Sequence, residues 1–208
     1  KTSEVLYSKR IMEAAQSSKV SAYYLASKIL QEVGTKKNSK YAGMGASGSV
    51  SGQYSKTYTG IYNFYNIGAY SSADPIANGL AWASNKTEKT YGRAWTTPGK
   101  SIKGGAQYIG EKYINCGQNP TYYQRFNVNK SSKYSLYTHQ YMTNICGAAS
   151  EAALTASAYE SLGIASLAKT FVIPVYNNMP SETNVVKLGN STKTGRAIAS
   201  VNSKTFIC

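Results

Sequence analysis

The sequence predicts a mainly α fold of the α+β kind, in which several helices are joined by one irregular, β-containing lobe. Three observations carry this expectation. Apolar residues return at helical spacing in several segments. Asp74-Pro75 and Thr97-Pro98 are clean helix starts. A single Gly/Ser/Tyr-rich stretch at 38–60 breaks the pattern.

The elements follow in chain order. Glu4 to Gln16 places Val5, Leu6, Ile11, Met12 and Ala15 at close to helical spacing. A second helix runs from Ser21, an N-cap residue, to Val33, with Gly34 as its stop. Residues 38–60 follow as a long loop or β-hairpin, and a loop of that length in a compact domain is usually functional. Asp74 then caps a helix that has Pro75 at its first position and runs to about Ser84. Thr97-Pro98 opens another, carrying Ile102, Ala106, Ile109 and Ile114, with Gly117 to close it. The longest helix is expected from about Thr138 to Leu162, stopped by Gly163, and Thr170 to Val175 reads as a short strand. Residues 1–180 form the expected domain. Residues 181–208 are a polar tail, either a linker or a last strand. The chain begins on Lys1, which reads as a segment of a longer protein.

Composition narrows the function. Apolar residues make up 42% of 208 residues, enough for a packed core, and no run approaches the ~18 apolar residues of a membrane span. The formal charge of +14 attracts polyanions, which include nucleic acid and the phosphate-bearing polymers of a cell wall. The basic residues are scattered lysines with few arginines, so a base-reading surface is not expected. Nineteen tyrosines against four phenylalanines suit sugar stacking, although core filling and stacking on single-stranded nucleic acid use the same residues. Three cysteines without a CxxC, and one histidine, His139, predict no metal site. Buried thiols are the default reading, and a Cys116–Cys146 bridge is the alternative.

Acidic residues are few, so each can be weighed. Glu4 and Glu13 lie on a helix surface, Glu88 in a Lys-flanked loop, Glu111 in mid-helix beside Lys112, Glu151 and Glu160 on an Ala-rich helix, and Glu182 in the tail. Asp74 is explained by capping. Glu32 differs because it ends a helix. The negative end of the helix dipole and the nearby Leu30 and Val33 favour its protonated form, as a glycosidase general acid requires. Spacing alone favours the plainer reading, a surface residue paired with Lys28. A second cluster, Tyr62-Asn63-Phe64-Tyr65-Asn66-Ile67-Gly68-Ala69-Tyr70, interleaves amides with aromatics. It fits a sugar-binding strip or, equally, a turn whose aromatics fill the core.

Several motifs in order carry a family resemblance. Leu25 to Gly34 (LASKILQEVG) resembles the helix that bears the acidic residue in glycoside hydrolase family 73, the autolytic peptidoglycan endo-β-N-acetylglucosaminidases. Asn63 to Tyr70 (NFYNIGAY) resembles that family's second motif. Gly104 to Ile109 through Tyr113-Ile114, then Gly117-Gln118-Asn119 with Tyr122, Arg125, Phe126 and Asn127, resembles a third. Tyr137 to Ile145 (YTHQYMTNI) resembles a fourth, and the clostridial-type members are the most similar.

The resemblance implies a lysozyme-like helical domain whose small flexible β/loop lobe flanks a substrate cleft. It implies Glu32 and Tyr137 as catalytic residues, and Tyr62, Asn63, Phe64, Asn66 and Tyr70 as the substrate-binding set. The implied partners are peptidoglycan glycan strands and anionic wall polymers rather than nucleic acid, with no cofactor, and the implied location is the bacterial wall or cell surface after secretion. A non-catalytic wall-binding module and a lytic transglycosylase are the competing expectations. Two-carboxylate glycosidases place their acids about 5 Å apart when retaining and about 6.5–9.5 Å apart when inverting. No second carboxylate stands out here, so the 2-acetamido group of the substrate is the expected nucleophile.

Overall fold

The computed structural model describes residues 6–33, 56–70, 73–141 and 147–178, and their regular structure is helical throughout. The mainly α class therefore stands. The chain forms two compact units, residues 1–115 and 116–208. Most of the expected lobe at 38–60, the helix stop at Gly34 and the tail at 181–208 lie outside the described residues.

In the first unit, α1 (Tyr7–Ser18) and α2 (Ala22–Val33) are joined by a tight turn in which Lys19 adopts left-handed φ. Sequence periodicity placed α1 slightly earlier. It runs on to Ser18, whose hydroxyl donates to the Ala14 carbonyl at 2.7 Å and whose own carbonyl accepts from the Asn115 side chain at 2.9 Å. That amide satisfies a helix-end carbonyl that has no partner within the helix.

Helix α3 (Pro75–Ser84) starts where its capping signal predicts, with the Asp74 carboxylate accepting from the Ala77 N–H at 2.9 Å. Helix α4 (Pro98–Lys112) starts in the same way on Thr97, whose hydroxyl accepts from the Lys100 N–H at 3.3 Å. It ends at Lys112, before a single 3-10 turn at Ile114–Cys116, and Gly117 closes the segment at positive φ. Asp74→Ala removes one cap and is expected to cost about 1 kcal/mol. A urea midpoint that falls at constant m-value would show it, and an unchanged midpoint would count against the cap.

Helices α1 and α4 pack along each other, and the core gathers around them. Leu25, Phe64, Leu80, Trp95 and Ile102 are all at most 1% exposed. Small residues on α4 make this possible. A Cβ on Gly104 would collide with the Tyr91 carbonyl and the Trp95 indole, and one on Gly105 would enter the Tyr65 ring. The helix surface is therefore cut away where two aromatics sit.

The second unit contains α5 (Thr121–Phe126) and α6 (Gly147–Ser161), which pack together. Two expectations are corrected here. The helix expected over Thr138–Leu162 does not include Thr138–Tyr141, because residues 135–141 are held in a loop, with left-handed φ at Tyr137 and His139, and it is described over Gly147–Ser161. The strand expected at Thr170–Val175 is absent: the segment has no ladder partner among the described residues, and Phe171, Val172, Ile173 and Val175 are exposed. A run of β-branched residues becomes a strand only where a neighbouring edge accepts its hydrogen bonds.

Candidate active site around Glu32

Glu32 lies in the last turn of α2, half-buried, one turn after the buried Lys28. The segment 61–70 has no regular structure, yet nearly every residue of it is anchored. The Tyr62 N–H donates to the Trp95 carbonyl at 2.9 Å, and the Phe64 N–H donates to the Ser101 hydroxyl of α4 at 3.0 Å. Asn63 is 3% exposed. Its amide donates to the carbonyls of Ile67 and Gly79, both at 2.9 Å, and its Oδ1 accepts from the Ile67 N–H at 3.1 Å. One side chain thus closes a turn over residues 63–67 and ties it to α3. Gly68 completes the fit at φ +80°, where an added Cβ would lie 2.6 Å from the Trp82 Cβ.

The turn carries Asn66 at φ 50°, a left-handed conformation that asparagine tolerates better than most residues. From there its amide nitrogen donates to the Glu32 backbone carbonyl at 2.8 Å and to the Glu32 carboxylate Oε2 at 3.3 Å. Two segments 34 residues apart in sequence therefore meet at the one carboxylate singled out above.

The other expected contact residues fall into different places. Phe64 is 1% exposed and packs 5.7 Å from the Tyr7 ring, so its contribution is to the core under the turn. Tyr62 is half-buried, and Tyr70, at 67%, presents its ring to solvent. The Tyr65 hydroxyl is buried without a hydrogen-bond partner among the described residues, and burial pushes this phenol far above its usual range.

The remaining acids described in this unit are engaged elsewhere. Glu13 pairs with Arg10 at 3.0 Å and Glu111 with Lys112 at 3.3 Å. Glu88 pairs at 2.8 Å with Arg93, whose guanidinium also lies 4.0 Å over the Trp82 ring. Trp82 is the centre of an aromatic cluster with Tyr91, Trp95 and Tyr108. Burial, followed by the neighbouring Glu111, pushes the Tyr91 phenol upward.

Tyr137 belongs to the second unit. It is 67% exposed at φ 62°, and its N–H donates to the Asn127 carbonyl at 3.0 Å. Two wholly buried amides build the loop that presents it. Asn127 donates to the carbonyls of Ser135 and Thr138, and Gln118 donates to those of Tyr123 and His139. The Gln118 Oε1 accepts from Nδ1 of His139, which fixes the tautomer, and the His139 ring stacks on Tyr134 at 3.8 Å. Sequence reading placed Gln118 and Asn127 in a motif without assigning them work. Their signal was the short spacing of amides around Gly117 and the αL-tolerant Asn127. Cys116 is buried, and Cys146, its candidate bridge partner, lies outside the described residues.

No protein-family model matches the chain. The chain is 29% identical to a catalytic mutant of Staphylococcus aureus autolysin E, solved in complex with the disaccharide NAG-NAM. That match covers 74% of this chain and 60% of that one, with a TM-score of 0.47. Two curated relatives are bifunctional autolysins. The Staphylococcus epidermidis protein is 32% identical over 166 residues, and the Staphylococcus aureus protein is 31% identical over 164. The chain spans only 11% and 12% of their lengths. Over 79% of its own length, this sequence is thus similar to one segment of the staphylococcal bifunctional autolysins.

Proposed function

We propose that the chain is a peptidoglycan hydrolase of the endo-β-N-acetylglucosaminidase type, cleaving the β-1,4 bond between N-acetylglucosamine and the following N-acetylmuramic acid. One observation carries the reading: the acid-bearing helix and the NFYNIGAY segment, two separate motifs, converge on Glu32 through Asn66. The similarity to proteins named autolysins supports it.

Glu32 protonates the leaving oxygen and then deprotonates the incoming water. Its place at the negative end of the α2 dipole suits a carboxyl that must hold a proton before the reaction. Glu13, Glu88 and Glu111 are engaged with cations and Asp74 with a helix cap, which favours the substrate's own acetamido oxygen as the nucleophile. Tyr62 and Tyr70 offer ring faces to the sugar, while Asn63 and Phe64 hold the turn beneath them. Tyr137, exposed on its own unit, is the second proposed catalytic residue. The charge of +14 suits retention on anionic wall polymers, and the reaction takes place outside the membrane, in the wall.

Digestion of purified walls, followed by mass spectrometry of the released muropeptides, tests the reading. N-acetylglucosamine at the new reducing ends is the expected result. Anhydro-muramic ends would replace the proposal with a lytic transglycosylase, and no new ends would replace it with a binding module.

A further inference from the structure

The sequence expectation gives Asn66 to the substrate, and in the structure its amide nitrogen donates to both the backbone carbonyl and the carboxylate of Glu32. We infer that Asn66 is the positioning residue of the general acid: one amide nitrogen locks the Glu32 side chain to the end of its own helix, and the rest of the 63–68 turn exists to hold that amide in place. The inference rests on the reading of Glu32 as the general acid and goes beyond it.

Three observations build it. The backbone carbonyl of Glu32, in α2, is met by a side chain from outside its helix. Asn66 satisfies this carbonyl at 2.8 Å and reaches Oε2 of the same residue at 3.3 Å. A donor shared between the backbone and the side chain of one residue restricts the side-chain torsions of that residue, so the carboxyl is fixed relative to α2. Finally, the amide reaches across only because Asn66 sits at φ 50°, in a turn closed by Asn63 and seated against Trp82 at Gly68.

A positioning role and a sugar-binding role differ in kinetics. Loss of a sugar contact made equally in ground and transition states raises KM. Loss of alignment lowers kcat, and misplacement of a catalytic group by ~1 Å costs on the order of 10²-fold.

The test uses soluble, uncross-linked peptidoglycan glycan chains with the wild type, Asn66→Gly, Asn66→Asp, Glu32→Gln and the double variant Glu32→Gln/Asn66→Gly. Glycine adopts the same φ freely, and aspartate tolerates it while replacing the N–H donors by an acceptor. Circular dichroism confirms that each variant keeps its helices. Asn66→Gly and Asn66→Asp are both expected to lower kcat by roughly 10–10²-fold with KM within about twofold of wild type. The double variant should be no slower than Glu32→Gln alone, because the amide acts through the carboxyl. A raised KM at unchanged kcat, wild-type kinetics for both Asn66 variants, or additive losses in the double variant would overturn the inference. Wild-type turnover by Glu32→Gln would instead overturn the reading of Glu32, whatever Asn66 does.

Discussion

Glu32→Gln is expected to lower the rate of glycan cleavage by about 10²–10⁴-fold, the contribution usual for a positioned general acid. Glutamine has nearly the same shape and can still accept from the Asn66 amide through its carbonyl oxygen, so the bonds that hold this corner together are kept. What it lacks is a proton that it can give up. The loss should therefore appear in kcat, with binding to walls and the unfolding midpoint close to wild type. Reducing-end release from purified walls, measured beside a wall co-sedimentation assay, separates the two. A Glu32→Gln protein that releases reducing ends at the wild-type rate would remove Glu32 from the mechanism.

The second large effect concerns stability. Arg125 of α5 bonds to Glu151 of α6, and the two side chains are only 4% and 10% exposed. The Arg125 guanidinium also lies 4.5 Å over the Tyr141 ring. Breaking a buried ion pair from one side leaves a charge that water cannot reach, and such losses run to about 3–5 kcal/mol. Glu151→Ala is expected to cost that much. Arg125→Met combined with Glu151→Leu is expected to recover most of it, because the pair is then removed without leaving a stranded charge. Both tryptophans, Trp82 and Trp95, lie in the first unit, so far-UV circular dichroism in urea is the better probe of α5 and α6 than tryptophan fluorescence. An unchanged midpoint for Glu151→Ala would show that the pair contributes nothing net.

These two acids show how unevenly the molecule could be read from its residues. Glu32 drew notice because its peculiarity is local: a carboxylate at a helix end is visible in ten consecutive residues. Glu151 passed for an ordinary residue on an Ala-rich helix, because its partner stands 26 positions away and nothing in its neighbours betrays burial. The segment 62–70 lies between these cases. Alternating amides and aromatics describe a sugar-binding strip and a core-filling turn equally well, and the structure divides them. Phe64 and Tyr65 go to the core, Asn63 closes the turn, Asn66 faces Glu32 and Tyr70 faces solvent. The helix expected from Thr138 was drawn too long for a related reason. The polypeptide there could continue a helix, but the buried amides of Gln118 and Asn127 take the carbonyls of Ser135, Thr138 and His139 and hold a loop instead.

The residue string by itself determined the helical class and the capped starts at Asp74 and Thr97. Each depends on interactions spanning one or two turns, whose energies are set by immediate neighbours. Only the tertiary structure decided that Asn66 addresses Glu32, that Asn63 is buried framework and that Glu151 is paired with Arg125. Those outcomes depend on which distant side chains the packed core brings within 3 Å or so of one another. Desolvation then makes such meetings decisive, because a buried amide or charge must find its partner wherever the fold has put it.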